Sequence, residues 1–178
     1  MGKVILALFY ALLVSCHGYT RVAAGPYKTV VTPIYVDPEL PPETVYAIRA
    51  WNLAMNGAYY LDARAWGPAP EPPAVVLYAA HKDNPMLRRG GELAVGATFP
   101  WDGTYPSALI YIDIDYARAH PTQLVPIIAH ELGHAFGAEH IPGTLMSPTI
   151  IDTACIDLPT ITAVAKRLHL NPAWLNHC

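Results

Sequence analysis

Charge is scarce in this chain. Only 14 % of its 178 residues are Asp, Glu, Lys or Arg, with 11 basic and 14 acidic side chains and a net charge of −3. No run of Lys or Arg occurs and no basic stripe forms, so no nucleic-acid partner is expected. Long hydrophobic runs are missing too. Residues 4–14 form an apolar stretch of eleven, whereas a helix that crosses a bilayer needs about twenty. Repeats and low-complexity tracts are absent. In contrast, hydrophobic residues reach 53 % and continue along the whole chain, so the 18 prolines indicate many loops without disorder. The length suits one domain able to bury a substantial core.

The N-terminus reads as an export signal over residues 1–18. Lys3 supplies a small positive region, and the eleven apolar residues after it have the length of a signal core. Leu13-Val14-Ser15-Cys16 resembles a bacterial lipobox, in which the cysteine carries lipid and becomes the new N-terminus. Ordinary cleavage near residues 15–18 is the competing reading, and both stay open. The protein is accordingly expected outside the cell, or in the cell envelope if Cys16 is lipidated, with that anchor as its only membrane contact. Cys155 and Cys178 then remain as an even pair, which in an exported protein is a disulfide candidate.

Residues 19–27 read as an exposed leader to a single domain over 28–178. Val30-Val31-Thr32-Pro33-Ile34-Tyr35-Val36 is rich in β-formers, and Pro33 favours an edge or a bulge. Pro41-Pro42-Glu43 opens a helix with Val45, Ile48, Leu53 and Met55 on an apolar face, stopped by Asn56-Gly57. Ala74-Val75-Val76-Leu77-Tyr78-Ala79 is a second strand. Two more strands follow, then a helix from about Gln123 and a last helix over residues 159–170. This order lacks regular βαβ alternation, so the fold class is α+β, a small mixed sheet with a few large helices.

Chemistry concentrates in His130-Glu131-Leu132-Gly133-His134-Ala135-Phe136-Gly137-Ala138-Glu139-His140, which spells H-E-x-x-H-x-x-G-x-x-H. On a helix His130 and His134 stand one turn apart and project from one face, where neutral imidazoles can fill two corners of a zinc tetrahedron. Glu131, beside the first ligand, can reach a metal-bound water without taking a coordination place. Gly137 tolerates the left-handed backbone that ends helices and lets His140 return as a third ligand. With this composition the full motif arises by chance in about one chain in thirty thousand.

The motif resembles that of the metzincin zinc peptidases, which follow it with a methionine turn. Thr144-Leu145-Met146-Ser147-Pro148 places Met146 six residues past His140, and Leu-Met-x-Pro looks most like the matrixin branch, which includes the matrix metalloproteinases. Gly91-Glu92-Leu93-Ala94-Val95-Gly96-Ala97-Thr98-Phe99-Pro100 looks like the matrixin edge strand, and Ala108-Leu109-Ile110-Tyr111-Ile112-Asp113 like the strand after it. The likeness covers about residues 28–170 but is specific only over 130–148. Ile141 departs from the small hydroxyl residue usual after the third histidine. Tyr111 stands where a histidine of a second, structural zinc is expected, so one zinc is expected.

What the resemblance implies is a twisted mixed sheet with a long active-site helix, a second packing helix and a C-terminal helix. Its activity would be endopeptidase cleavage of protein or peptide substrates by a monomer. Zinc would sit on His130, His134 and His140, with Glu131 as general base and Met146 as an apolar floor. Substrate would pair with the edge over residues 93–98, touching Ala94, Val95, Gly96 and Ala97. The wall at Pro148-Thr149-Ile150-Ile151 would shape the pocket just beyond the scissile bond. Asp83, Asp102, Asp113 and Asp115 are calcium candidates by likeness to matrixin loops, but no EF-hand spacing appears and turn-forming or strand-flanking carboxylates are the commoner reading. A mature chain this short before its first strand has no room for the cysteine-bearing prodomain of many matrixins. Control by secretion or by a separate inhibitor is the expectation. Two other functions compete: a catalytically silent zinc-stabilised binding module, which would not need Glu131, and hydrolysis of a non-peptide bond.

Overall fold

A computed structural model describes residues 19–67, 70–89, 92–149 and 152–178. The expected export segment with Cys16 lies outside the described residues, as do Ile150 and Ile151 of the expected pocket wall. The chain is mixed α/β, compatible with the α+β class. Its strands are β1 (Val30–Val36), β2 (Tyr59–Arg64), β3 (Val75–Ala80), β4 (Arg88–Arg89), β5 (Glu92–Leu93), β6 (Gly96–Pro100) and β7 (Ala108–Asp113). The helices are α1 (Thr44–Ala54), α2 (Ile114–Ala119), α3 (Leu124–Ala135) and α4 (Leu158–Arg167). Five strands form one sheet in the order β2-β1-β3-β7-β6. The first four are parallel, and β6 runs antiparallel to β7 at the sheet's margin.

Helix α1 buries Thr44, Ala47, Ile48, Trp51 and Ala54, a three-and-four spacing that gives one continuous apolar face. That face packs on α3, where the Trp51 indole N–H donates to the Ala129 carbonyl at 2.8 Å inside the core. Asn56 and Gly57, both at positive φ (45° and 86°), turn the chain from α1 into β2. Helix α3 lies along β6 and β7, with Ile127 at 4 % exposure and Ile128 and Leu132 fully buried. Among the described residues no helix is long and apolar enough to cross a membrane.

Several expectations need correction. Pro33 is not at an edge, because β1 is flanked by β2 and β3. The β3 ladder begins only at Ile34, one residue later, so at the proline a single neighbour flanks the strand. The edge strand expected over residues 91–100 is broken: β5 pairs with β4 in a separate hairpin, and β6 starts at Gly96. Strand β2 and helix α2 were not anticipated. The leader is largely exposed but tethered, since Thr20 N donates to His177 O at 2.7 Å and Val22 N to Asn176 Oδ1 at 3.0 Å.

Cys155 and Cys178 are paired at disulfide distance, with Cα atoms 5.9 Å apart and a sequence separation of 23. Closing a loop of that length stabilises by about 3 kcal/mol in the chain-entropy model. Cys155→Ser with Cys178→Ser is therefore expected to lower Tm by roughly 6–12 °C in a thermal melt. An unchanged Tm would leave the bridge without a stabilising role.

Candidate metal centre

Three histidines, His130, His134 and His140, lie close enough to hold a metal ion, with one nitrogen from each within 4.8 Å of the others. The first two come from α3, one turn apart. The third arrives because α3 ends sharply. Gly137 takes φ 85°, Gly137 N donates to His134 O at 2.8 Å, and Ala138 N donates to Gly133 O at 3.0 Å. These two bonds close the helix end in a Schellman arrangement and turn the chain back toward its own last turn.

Both helical imidazoles are oriented by backbone carbonyls. His130 Nδ1 lies 2.8 Å from Leu145 O, and His134 Nδ1 lies 2.8 Å from Ala138 O. A carbonyl only accepts, so each Nδ1 must carry a proton, which in the neutral ring leaves the lone pair on Nε2. His134 Nε2 faces His140 Nε2 at 3.2 Å. Three imidazole nitrogens converging in this way, two of them on rings whose other nitrogen is held by a backbone carbonyl, are a donor set that a metal ion can take. Burial pushes the His130 pKa below the usual histidine value, opposed by the Leu145 bond and reinforced by His140. That direction favours the neutral, ligating form.

Glu131 is buried at 6 % exposure beside this cluster and is not one of the converging donors. Its Oε2 accepts from Thr98 Oγ1 at 2.6 Å. On its other side is Gly96, where an added Cβ would stand 2.6 Å from Oε1. The carboxylate is thus held between a hydroxyl and a bare stretch of β6.

Met146 is fully buried directly beneath α3. A Cβ on Gly133 would collide with its sulfur and stand 3.3 Å from Trp51 Cζ2. The turn is pinned by Ile141 N to Met146 O at 2.8 Å and by Leu145 N to Asp157 Oδ2 at 2.7 Å. The same turn presents the carbonyl that holds His130. Gly133→Ala is expected to destabilise by about 1–3 kcal/mol through overpacking. It should also weaken metal binding by displacing that turn, as thermal melts and a metal titration on the variant would read out; wild-type values in both would refute the close packing.

A cavity of about 320 Å³ adjoins the histidines, with Val95, Ala97, Ile127, Leu145 and Pro148 in its wall. Ala94 and Gly96 line it too, but Ala94 N is already bonded to Leu87 O at 2.8 Å. Thr149 is exposed and turned toward Ser147, with its hydroxyl 3.1 Å from Ser147 Oγ, and does not line the cavity. The four aspartates do not gather into a cluster among the described residues. Asp113 caps α2 by accepting from Tyr116 N at 2.9 Å, Asp115 sits 3.2 Å from His81 Nδ1, and Asp102 closes a turn onto Thr104 N at 3.0 Å.

Sequence reasoning missed Thr98 and the carbonyls of Leu145 and Ala138. Thr98 lies in a stretch read only as backbone for pairing, and its role appears once β6 is laid against α3. Compared with models of known families and with curated proteins, the chain matches none.

Proposed function

We propose that this chain is a zinc-dependent endopeptidase of the metzincin kind, nearest in motif to the matrixins. One observation carries the reading: two carbonyl-oriented imidazoles and a third converge beside a buried carboxylate that is not among the ligating donors. His130, His134 and His140 would hold the zinc. Bound there, the ion supplies Lewis-acid polarisation of a carbonyl and a lowered pKa for water, towards about 7.

The remaining work falls to the chain's own groups. Glu131 accepts the proton of the attacking water and passes it to the leaving amine. Thr98 holds the carboxylate in place for both transfers. The outer margin of β6 offers a strand edge on which an extended peptide pairs. The 320 Å³ cavity, lined by the histidines and Glu131 on one side and by Val95, Ile127, Leu145 and Pro148 on the other, receives the side chain just beyond the scissile bond. The paired Cys155 and Cys178 support an oxidising, extracytoplasmic setting.

The test is zinc-dependent hydrolysis of an unstructured protein. Activity is expected from the zinc-loaded chain, lost on removing the metal with a chelator and restored on adding zinc back. Binding of one zinc without hydrolysis would favour the silent binding module instead.

A further inference from the structure

His134 and His140 also line a second, larger cavity of about 770 Å³ on their other flank. Its other walls come from the far end of β6 at Thr98 and Pro100, from Tyr105, from the turn between the two histidines and from the end of α4. Lys166, Arg167 and His169 there are all exposed. Arg167 is not a loose surface cation. Its Nη2 donates to Tyr105 Oη at 2.8 Å, and its guanidinium carbon sits 4.7 Å from the centre of that ring.

Two features of the backbone bring this cation to the histidines. Gly137 has no side chain where a Cβ would stand 2.5 Å from Arg167 Cγ and 3.0 Å from Tyr105 Cε1. The glycine that ends α3 therefore also admits Arg167 against the helix end. Helix α4 then stops with His169 at φ 56°, a left-handed position that glycine fills more readily. The stop is fixed by Leu170 N to Ala165 O at 2.8 Å.

Charge decides what such a cavity prefers. Among the described residues neither Lys166 nor Arg167 forms an ion pair with a carboxylate, and Glu139 is the one acidic side chain in the wall. A guanidinium already oriented by Tyr105 keeps further N–H groups for a charge-assisted bond to a carboxylate. Direction follows from β6, which runs from Gly96 beside the smaller cavity to Pro100 beside the larger one. A peptide antiparallel to β6 that sets the residue after the cut in the smaller cavity lays the residues before the cut over the larger one.

We infer that this second cavity is a subsite for an Asp or Glu side chain on the N-terminal side of the scissile bond, which would make acidic peptides the preferred substrates. The inference rests on the peptidase reading of the cleft. The experiment offers the zinc-loaded chain a peptide pool in which every Asp or Glu sequence has an Asn or Gln counterpart, with products identified by mass spectrometry. Acidic residues within three positions before the cut should be favoured about three- to fivefold, the worth of one partly exposed ion pair. The ratio should fall to about one in the Lys166→Gln/Arg167→Gln double variant and rise in Glu139→Gln. A wild-type ratio near one, or a ratio unchanged in both variants, overturns the subsite. If the wild type makes no cuts, the peptidase reading falls and the cavity is judged on retention of the same pool by the immobilised chain. Preferential retention of acidic peptides then supports the anion site, and equal retention removes it.

Discussion

Replacing Glu131 by Gln is expected to lower kcat by about 1,000-fold or more while leaving one zinc bound per chain. The substitution keeps the shape of the side chain and a carbonyl oxygen that still accepts from Thr98. What it removes is the capacity to take a proton from water and return it to the amine. Because Glu131 is not among the three converging donors, the metal should stay. Loss of zinc along with activity would mean that the carboxylate supports the site structurally. Turnover within tenfold of wild type would remove Glu131 as the base.

Thr98→Val is expected to lower kcat by about 10- to 100-fold with KM changed by less than about threefold, because a carboxylate displaced by an ångström loses its alignment. The hydroxyl donates across 2.6 Å to Oε2, and valine fills the same space without it. Opposite, a Cβ at Gly96 would stand 2.6 Å from Oε1, so the glycine leaves the carboxylate its room on that side. Thr98→Ser keeps the donor and should restore most of the rate. That rescue separates positioning from packing, since serine leaves the larger hole of the two. A loss in the serine variant as large as that in the valine variant would mean that the hydroxyl alone does not hold the carboxylate, and a fully active valine variant would dismiss the hydrogen bond altogether.

The candidate metal site was legible because its ligands are local. His130 and His134 are set by helical pitch, and Gly137 and His140 follow within six residues of the second histidine, so spacing alone carries the geometry. What holds them is not local. Leu145 O reaches His130 from 15 residues away, Thr98 reaches Glu131 from 33, and Trp51 N–H reaches Ala129 from 78. No periodicity within a window of a dozen residues reports such contacts. Strand β2 was missed for a different reason. As the outermost strand it buries only Leu61, so the alternation that marks a half-buried strand is weak. Helix α2 does leave a signal: Asp113 stands three residues before the amide it caps, but a carboxylate at the end of a strand equally suits a turn or the calcium role that the matrixin likeness implies. The split of the 91–100 segment follows from β4 and β5 closing a hairpin of their own; the Gly90-Gly91 dipeptide between them is a local hairpin signal, hidden by reading those residues as loop and strand start.

The central claim, that the three-histidine site hydrolyses peptide bonds, is tested most directly by sequencing the products formed from a diverse peptide pool by the zinc-loaded chain. The account predicts new internal termini, an apolar residue just after each cut, and none of these cuts with Glu131→Gln. An intact pool in the presence of one bound zinc per chain, or identical cuts by the Gln variant, would contradict it.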